Sequence, residues 1–171
     1  MRQDEDTRRV VKPLALHGTS FPGTGPRIHG YQTMGLANGG TGPRDVSVWS
    51  PADGWAAGDV ISTSADLERF THALFGGQVV RGPLLEQTFT LPRLAEGEAA
   101  YSAGLTSWKL GGRQVWGRTG GRRGYNAGIG GTRDRSRVLV CSVSSTDAKG
   151  RDRNPVVTDL AQAAFGAVDK S

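Results

Sequence analysis

The sequence predicts an α+β domain, with an antiparallel sheet of about three to four strands over residues 101–144 and helices on either side. Apolar residues recur at helical spacing in the stretches before residue 91 and again at the end of the chain. Between them, short runs of strand-forming residues are separated by hairpin signals. A length of 171 residues suits one domain with a real core.

The elements follow in order. "EDTRRVVKPLAL", residues 5–16, predicts a short helix that ends before Pro13, because a proline pushes its predecessor out of helical geometry. Residues 17–54 hold most of the loop signals: "GTSFPGTGPR", "NGGTGPRD" and "SPADG". In "ISTSADLERFTHALFGG", Thr63 or Ser64 is placed to cap a helix, and Asp66 and Glu68 fall in its first turn, where the dipole favours them. Leu67, Phe70 and Leu74 form its expected apolar stripe, and Gly76–Gly77 its end. Pro83 opens a second helix through "PLLEQTFTL".

"SAGLTSWKL" and "RQVWGR" flank Gly111–Gly112, a two-residue hairpin signal. "GYNAGIGGT" and "SRVLVCSVS" flank the polar turn "RDR". In the last of these strands Leu139, Cys141 and Val143 alternate with Val138 and Val140, so both faces are apolar and a central, doubly covered position is expected. In "NPVVTDLAQAAFGAVDK", Asn154 is the expected cap and Pro155 the first residue of a helix, with Val156, Val157, Leu160, Ala164 and Val168 on its buried face.

Composition removes several classes of function. The net charge of +5 is spread along the chain, and no nucleic-acid recognition fold accompanies it. The densest group is Arg118, Arg122 and Arg123, of which Arg122 and Arg123 read as a solvated rim. The single cysteine, Cys141, leaves no disulfide framework and no Cys/His metal spacing, and no cofactor is expected. No apolar run approaches the ~20 residues of a membrane span, and the start, "MRQDEDTRRVVKP", lacks the apolar core of a signal peptide. Gly128, Gly130 and Gly131 are followed by no helix start, so they read as sites of close packing rather than as a phosphate loop.

The stretch that carries chemistry is "VWGRTGGRRGYNAGIGG", residues 115–131, read as a strand, a tight Arg-Thr-Gly-Gly corner and a second strand. Together with "VKPLALHGTSFPGTGPRIHGY", "WAAGDVISTSADLERFTHALFGG" and "GYNAGIGGTRD", it resembles the serine beta-lactamase and DD-peptidase superfamily. The likeness is to its D-alanyl-D-alanine carboxypeptidase and class C beta-lactamase-like branch. It runs from about Val10 into the last helix and corresponds to the second half of such an enzyme. The fold implied is therefore an incomplete beta-lactamase/transpeptidase-like one.

The resemblance implies acyl transfer to a serine followed by hydrolysis, with three motifs. Ser-x-x-Lys supplies the nucleophile and a base, because a hydroxyl is a poor nucleophile near neutral pH. Tyr-x-Asn or Ser-x-Asn assists proton transfer. A strand with Lys-Thr-Gly or His-Thr-Gly holds the substrate carboxylate and supplies an oxyanion-hole N–H. This sequence contains no Ser-x-x-Lys and neither form of the second motif. Thr146 and Lys149 have the first spacing but read as a solvated polar turn.

Only the third motif has a counterpart, at Arg118-Thr119-Gly120. By resemblance, Thr119 holds a carboxylate, Gly121 offers the oxyanion N–H, and Trp55 walls the cleft. Arg118 keeps the cation but not a transferable proton. None of His17, His29 and His72 is near this stretch in sequence. The expected ligand is D-Ala-D-Ala-like or a beta-lactam, with no catalytic residue in the chain. Expected alternatives are a non-catalytic module for a carboxylate ligand or partner chain, and a relic. The resemblance also sets 136–144 beside a strand of the other half, so self-association or pairing with a separately encoded first half is expected there. Relatives act outside the cytoplasm, which leaves the compartment open.

Overall fold

The computed structural model describes residues 2–21, 27–37, 39–48, 58–97, 99–148 and 155–166. The chain begins with α1 (Arg2–Asp6), which widens into π-type turns over Thr7–Val11 and stops before Pro13. A two-stranded ribbon follows, β1 (Tyr31–Gly35) against β2 (Thr41–Asp45). Next come α2 (Ser64–Phe75) and α3 (Pro83–Thr88). Then β3 (Thr106–Leu110), β4 (Arg113–Arg122), β5 (Gly124–Thr132) and β6 (Val138–Ser145) form one antiparallel sheet in sequence order, and α4 (Pro155–Gly166) closes the chain. The ribbon occupies part of the stretch whose glycines and prolines predict only loops.

Local signals account for these boundaries. Thr63 caps α2, its hydroxyl accepting from the Asp66 N–H at 3.2 Å. Asp66 in turn accepts from the Gly18 N–H and the Thr19 hydroxyl, each at 2.8 Å, which ties the preceding loop to the helix start. Gly111 (φ 54°) and Gly112 (φ 76°) both adopt the left-handed geometry that a two-residue hairpin turn requires. The Leu110–Arg113 pair closes that hairpin.

Helices cover both faces of the sheet. Trp116, Gly131 and Val138 are cross-strand partners, and a Cβ on Gly131 would lie 3.3 Å from the Phe75 ring of α2. Thr119, Gly128 and Cys141 line up on the opposite face, where a Cβ on Gly128 would lie 3.3 Å from Val157 of α4. The glycines of β5 therefore serve close packing, as expected. On the α2 face Phe75, Leu105 and Trp116 form the buried cluster, with Leu74, Phe89 and Leu91 packed on it. Phe89 meets Phe75 and Trp116 edge-on, at ring-centre distances of 4.9 and 5.6 Å. Arg133 lies over the Phe89 ring and donates to the Phe75 carbonyl at 2.9 Å, satisfying the end of α2.

Four expectations are corrected. Among the described strands β6 lies at the edge of the sheet, as the resemblance implies for this half, and not at the centre that its two apolar faces suggest; of its apolar residues only Cys141 is buried. Apolar side chains on both faces reflect the two helix layers, not a neighbour on each side. In α2, Leu67, Phe70 and Leu74 are half-buried while Ala73 and Phe75 are buried, because the helix rolls its end onto the sheet. In α4, Val156 and Leu160 are exposed; Val157, Ala161, Ala164 and Phe165 turn inward, with Phe165 the deepest. Asn154 and Val168 lie outside the described residues. The fourth correction concerns the Arg-Thr-Gly-Gly stretch.

Candidate functional site

Residues 118–121 form no corner. They continue β4 in extended geometry, paired with Ile129, Gly128, Ala127 and Asn126 of β5. The chain reverses later, at Arg122–Gly124, where Gly124 supplies the positive φ of 81°. The glycine density of the stretch reads like a turn; the register shows that the glycines lie within the sheet.

This half of β4 is open in two ways. Arg118, Thr119, Gly120 and Gly121 are all exposed. Strand β3 ends its pairing at Thr106 opposite Gly117, so among the described residues 118–122 have a strand partner only on the β5 side. The other side offers main-chain donors and acceptors to whatever approaches. Arg118 and Thr119 are neighbours on a strand and point to opposite faces. A single carboxylate reaches both only from the outer edge, where the two side chains bend around it. Gly120 leaves that approach clear, since a Cβ built there meets nothing within 4 Å.

Two residues that sequence reasoning passed over flank this edge. The Arg118 guanidinium stands 5.4 Å from the centre of the half-exposed Tyr101 ring. A cation over an aromatic face at an exposed site is worth about 0.5–1 kcal/mol. Tyr101 bridges Thr106, the residue opposite Gly117, so the fold itself brings it beside Arg118. Asn126, cross-strand from Gly121, is buried, and its amide nitrogen has no hydrogen-bond partner among the described residues. No periodicity signals either residue; both are found through register.

Trp55 lies outside the described residues. Arg122 is half-buried and Arg123 exposed at the turn. Tyr125 packs its ring against Gly30 and donates its hydroxyl to the Ile28 carbonyl at 2.8 Å. That contact brings the segment holding His29 against the β4–β5 turn, although nearly a hundred residues of sequence separate them. Cys141 is buried, and burial raises its thiol above the ordinary value, which suits an inert core side chain. A cleft of about 600 Å³ between α2 and the 13–15 turn, lined by Arg69, His72 and Arg135, shares no residue with the β4 edge. No described helix is long and apolar enough to cross a membrane.

No curated protein matches the chain. Among solved structures, a D-stereospecific amidohydrolase from Streptomyces sp. superposes with a TM-score of 0.78 at 28% identity, over 97% of this chain and 49% of that one. The D-amino acid amidase from Ochrobactrum anthropi SV3, in complex with D-phenylalanine, gives 0.71 at 20% identity, over 94% of this chain and 50% of that one. A penicillin-binding protein from Bacillus halodurans gives 0.69 at 18% identity, over 95% of this chain and 49% of that one. The chain thus spans about half the length of these structures. The family model described as Beta-lactamase matches residues 6–163, nearly the whole chain. With the α+β sheet and its Thr-Gly strand in place, that match establishes that the chain belongs to the beta-lactamase family of serine hydrolase folds.

Proposed function

We propose that this chain forms the substrate-holding C-terminal half of a penicillin-recognising acyl-serine hydrolase, of the D-Ala-D-Ala carboxypeptidase, beta-lactamase or esterase type. The observation that carries this reading is the open, exposed run Arg118–Gly121, on a strand whose outer partner stops one residue earlier. In this reading a substrate lies along the β4 edge. Arg118 grips its carboxylate with a two-pronged guanidinium, and the Thr119 hydroxyl donates to the same group. The Gly121 N–H points at the oxygen of the reacting carbonyl, where negative charge develops. The D-configured carboxylate is favoured by the likeness to a D-stereospecific amidohydrolase.

The nucleophile and its base lie outside these 171 residues, which contain no Ser-x-x-Lys. Alone, the chain binds at this edge without acyl-serine turnover there. The test is the purified chain with nitrocefin and with D-alanine p-nitroanilide. No turnover of either is expected. Turnover that Thr119→Ala abolishes would show that the chain holds its own acylating group and would overturn the reading.

A second reading, a non-catalytic module that recruits a partner chain, is favoured by the edge position of β6. Its Val138, Leu139 and Val140 are only half-buried. Such an edge pairs with a second copy or with a separately made first half. Size-exclusion chromatography over a concentration series is expected to show association, and Val140→Lys on that strand to reduce it. A monomer at every concentration, unaffected by the substitution, would remove this reading.

A further inference from the structure

The β1–β2 ribbon carries a chain of hydrogen bonds that the proposed acyl-serine chemistry does not use. His29 Nδ1 lies 2.6 Å from Asp45 Oδ2. The other oxygen of that carboxylate accepts from the Ser47 N–H at 2.8 Å and from the Ser47 hydroxyl at 2.5 Å. The Gly30 N–H donates to the Ser47 hydroxyl at 2.9 Å, and Ser47 is 3% exposed. A buried serine therefore fixes the carboxylate, and the carboxylate fixes the ring. The Ser47 hydrogen bonds, with His29 adding to them, hold the Asp45 carboxyl down at about 2. It is ionised near neutral pH and accepts only, so the facing Nδ1 carries the proton. In the neutral ring Nε2 is then the lone-pair nitrogen. The His29 side chain is 65% exposed, and no described group pairs with Nε2.

We propose that His29, held in this tautomer by Asp45, is a second reactive centre that cleaves small activated acyl esters. Nε2 attacks the ester carbonyl carbon. The N–C bond forms, the C–O bond to the leaving alcohol breaks, and the alkoxide or aryloxide departs with the electron pair. The resulting acyl-imidazolium keeps its Nδ1 proton and lies against the Asp45 carboxylate, which offsets the positive charge. Water then adds to the acyl carbon, the C–N bond breaks, the carboxylic acid leaves, and the surplus proton passes to solvent. The centre stands beside the β4–β5 turn, because Ile28 and Gly30 on either side of His29 contact Tyr125 and Gly124. It is open to solvent, so the substrate class is a small ester with a good leaving group, not a peptide that needs a cleft.

The test is p-nitrophenyl acetate cleavage by the purified chain and its histidine variants. His29→Gln is expected to lower the second-order rate by about tenfold or more. His17→Gln and His72→Gln are expected to match the unmodified protein. A His29→Gln rate equal to that of the parent, or the same loss from all three variants, overturns the proposal. Should His29→Gln fail to fold, mass spectrometry of the parent chain quenched during turnover decides: acetyl on the His29 peptide supports the proposal, and acetyl only at His17 or His72 overturns it. For Asp45 the reading is spectroscopic. In Asp45→Leu the imidazole ¹⁵N shifts are expected to move from the Nδ1–H toward the Nε2–H tautomer as the rate falls, and an unchanged tautomer denies Asp45 its positioning role. Carboxylate binding at Thr119 is scored by different ligands, so either site can fail while the other stands.

Discussion

Strand β4 is two strands in its behaviour. Its first half, Val115–Gly117, is buried, paired with β3 on one side and β5 on the other, and Trp116 sits in the aromatic cluster of α2 and α3. Its second half, Arg118–Gly121, is exposed and, among the described residues, paired on one side. The difference arises where β3 stops. It shows how a rigid core can present an unsatisfied edge: the buried half holds the register, and the open half inherits a fixed position without being covered.

The largest contrast is expected on truncating the buried half. Trp116→Ala should cost about 3–5 kcal/mol in denaturant titration, the range for large aromatic side chains in cores. Thr119→Ala should leave the same curve within about 0.5 kcal/mol, as for surface positions without special contacts. Next come the two glycines on either side of the boundary. A Cβ on Gly117 would lie 2.1 Å from the Ile129 carbonyl oxygen, whereas one on Gly120 meets nothing. Gly117→Ala should destabilise by about 1–3 kcal/mol. Gly120→Ala should leave stability alone and weaken only the approach of a ligand. Equal effects of the two would mean that the register through this strand is wrong.

Much of the fold can be read from the sequence because its signals are local. The Thr63 cap, Pro83 at the start of α3 and the Gly111–Gly112 turn each act within a few residues. The edge position of β6 is not local. The same apolar alternation serves a central strand or an edge between two helix layers, and only pairing decides. The candidate site divides the same way. Arg118, Thr119 and Gly120 are found through a motif, while Tyr101 and Asn126 come beside them only through strand pairing. The misplaced corner has a further cause: glycine favours turns, but in β4 and β5 it also lets packed layers approach.

A third contrast sets acid-sensitive anchors against the charge-poor core. The Thr132 hydroxyl, then the Ser136 N–H and hydroxyl, hold the Asp134 carboxyl at about 2 in the β5–β6 turn. Asp45 is held at about 2 in the ribbon, chiefly by Ser47. Both folded-state values lie below the unfolded value of about 3.9. Their stabilisation is therefore present above about pH 4 and lost as pH falls toward about 2. The melting temperature should drop over that window, and Asp45→Asn with Asp134→Asn should flatten the drop. A drop unchanged by both substitutions would place the acid sensitivity elsewhere.

The smallest effect concerns Tyr101. Replacing it with leucine removes the ring beneath Arg118 and should weaken binding of a carboxylate ligand by a few-fold, consistent with about 0.5–1 kcal/mol. Folding should be untouched, since the ring is half-exposed.

The most direct test of the substrate-holding edge is a titration of N-acetyl-D-alanine into ¹⁵N-labelled protein, followed by amide and arginine Nε resonances. Saturable shifts are expected at Thr119, Gly120, Gly121 and the Arg118 side chain, lost in Thr119→Ala and weaker with the L-enantiomer. Shifts confined to other parts of the chain, or the same shifts in Thr119→Ala, would contradict it.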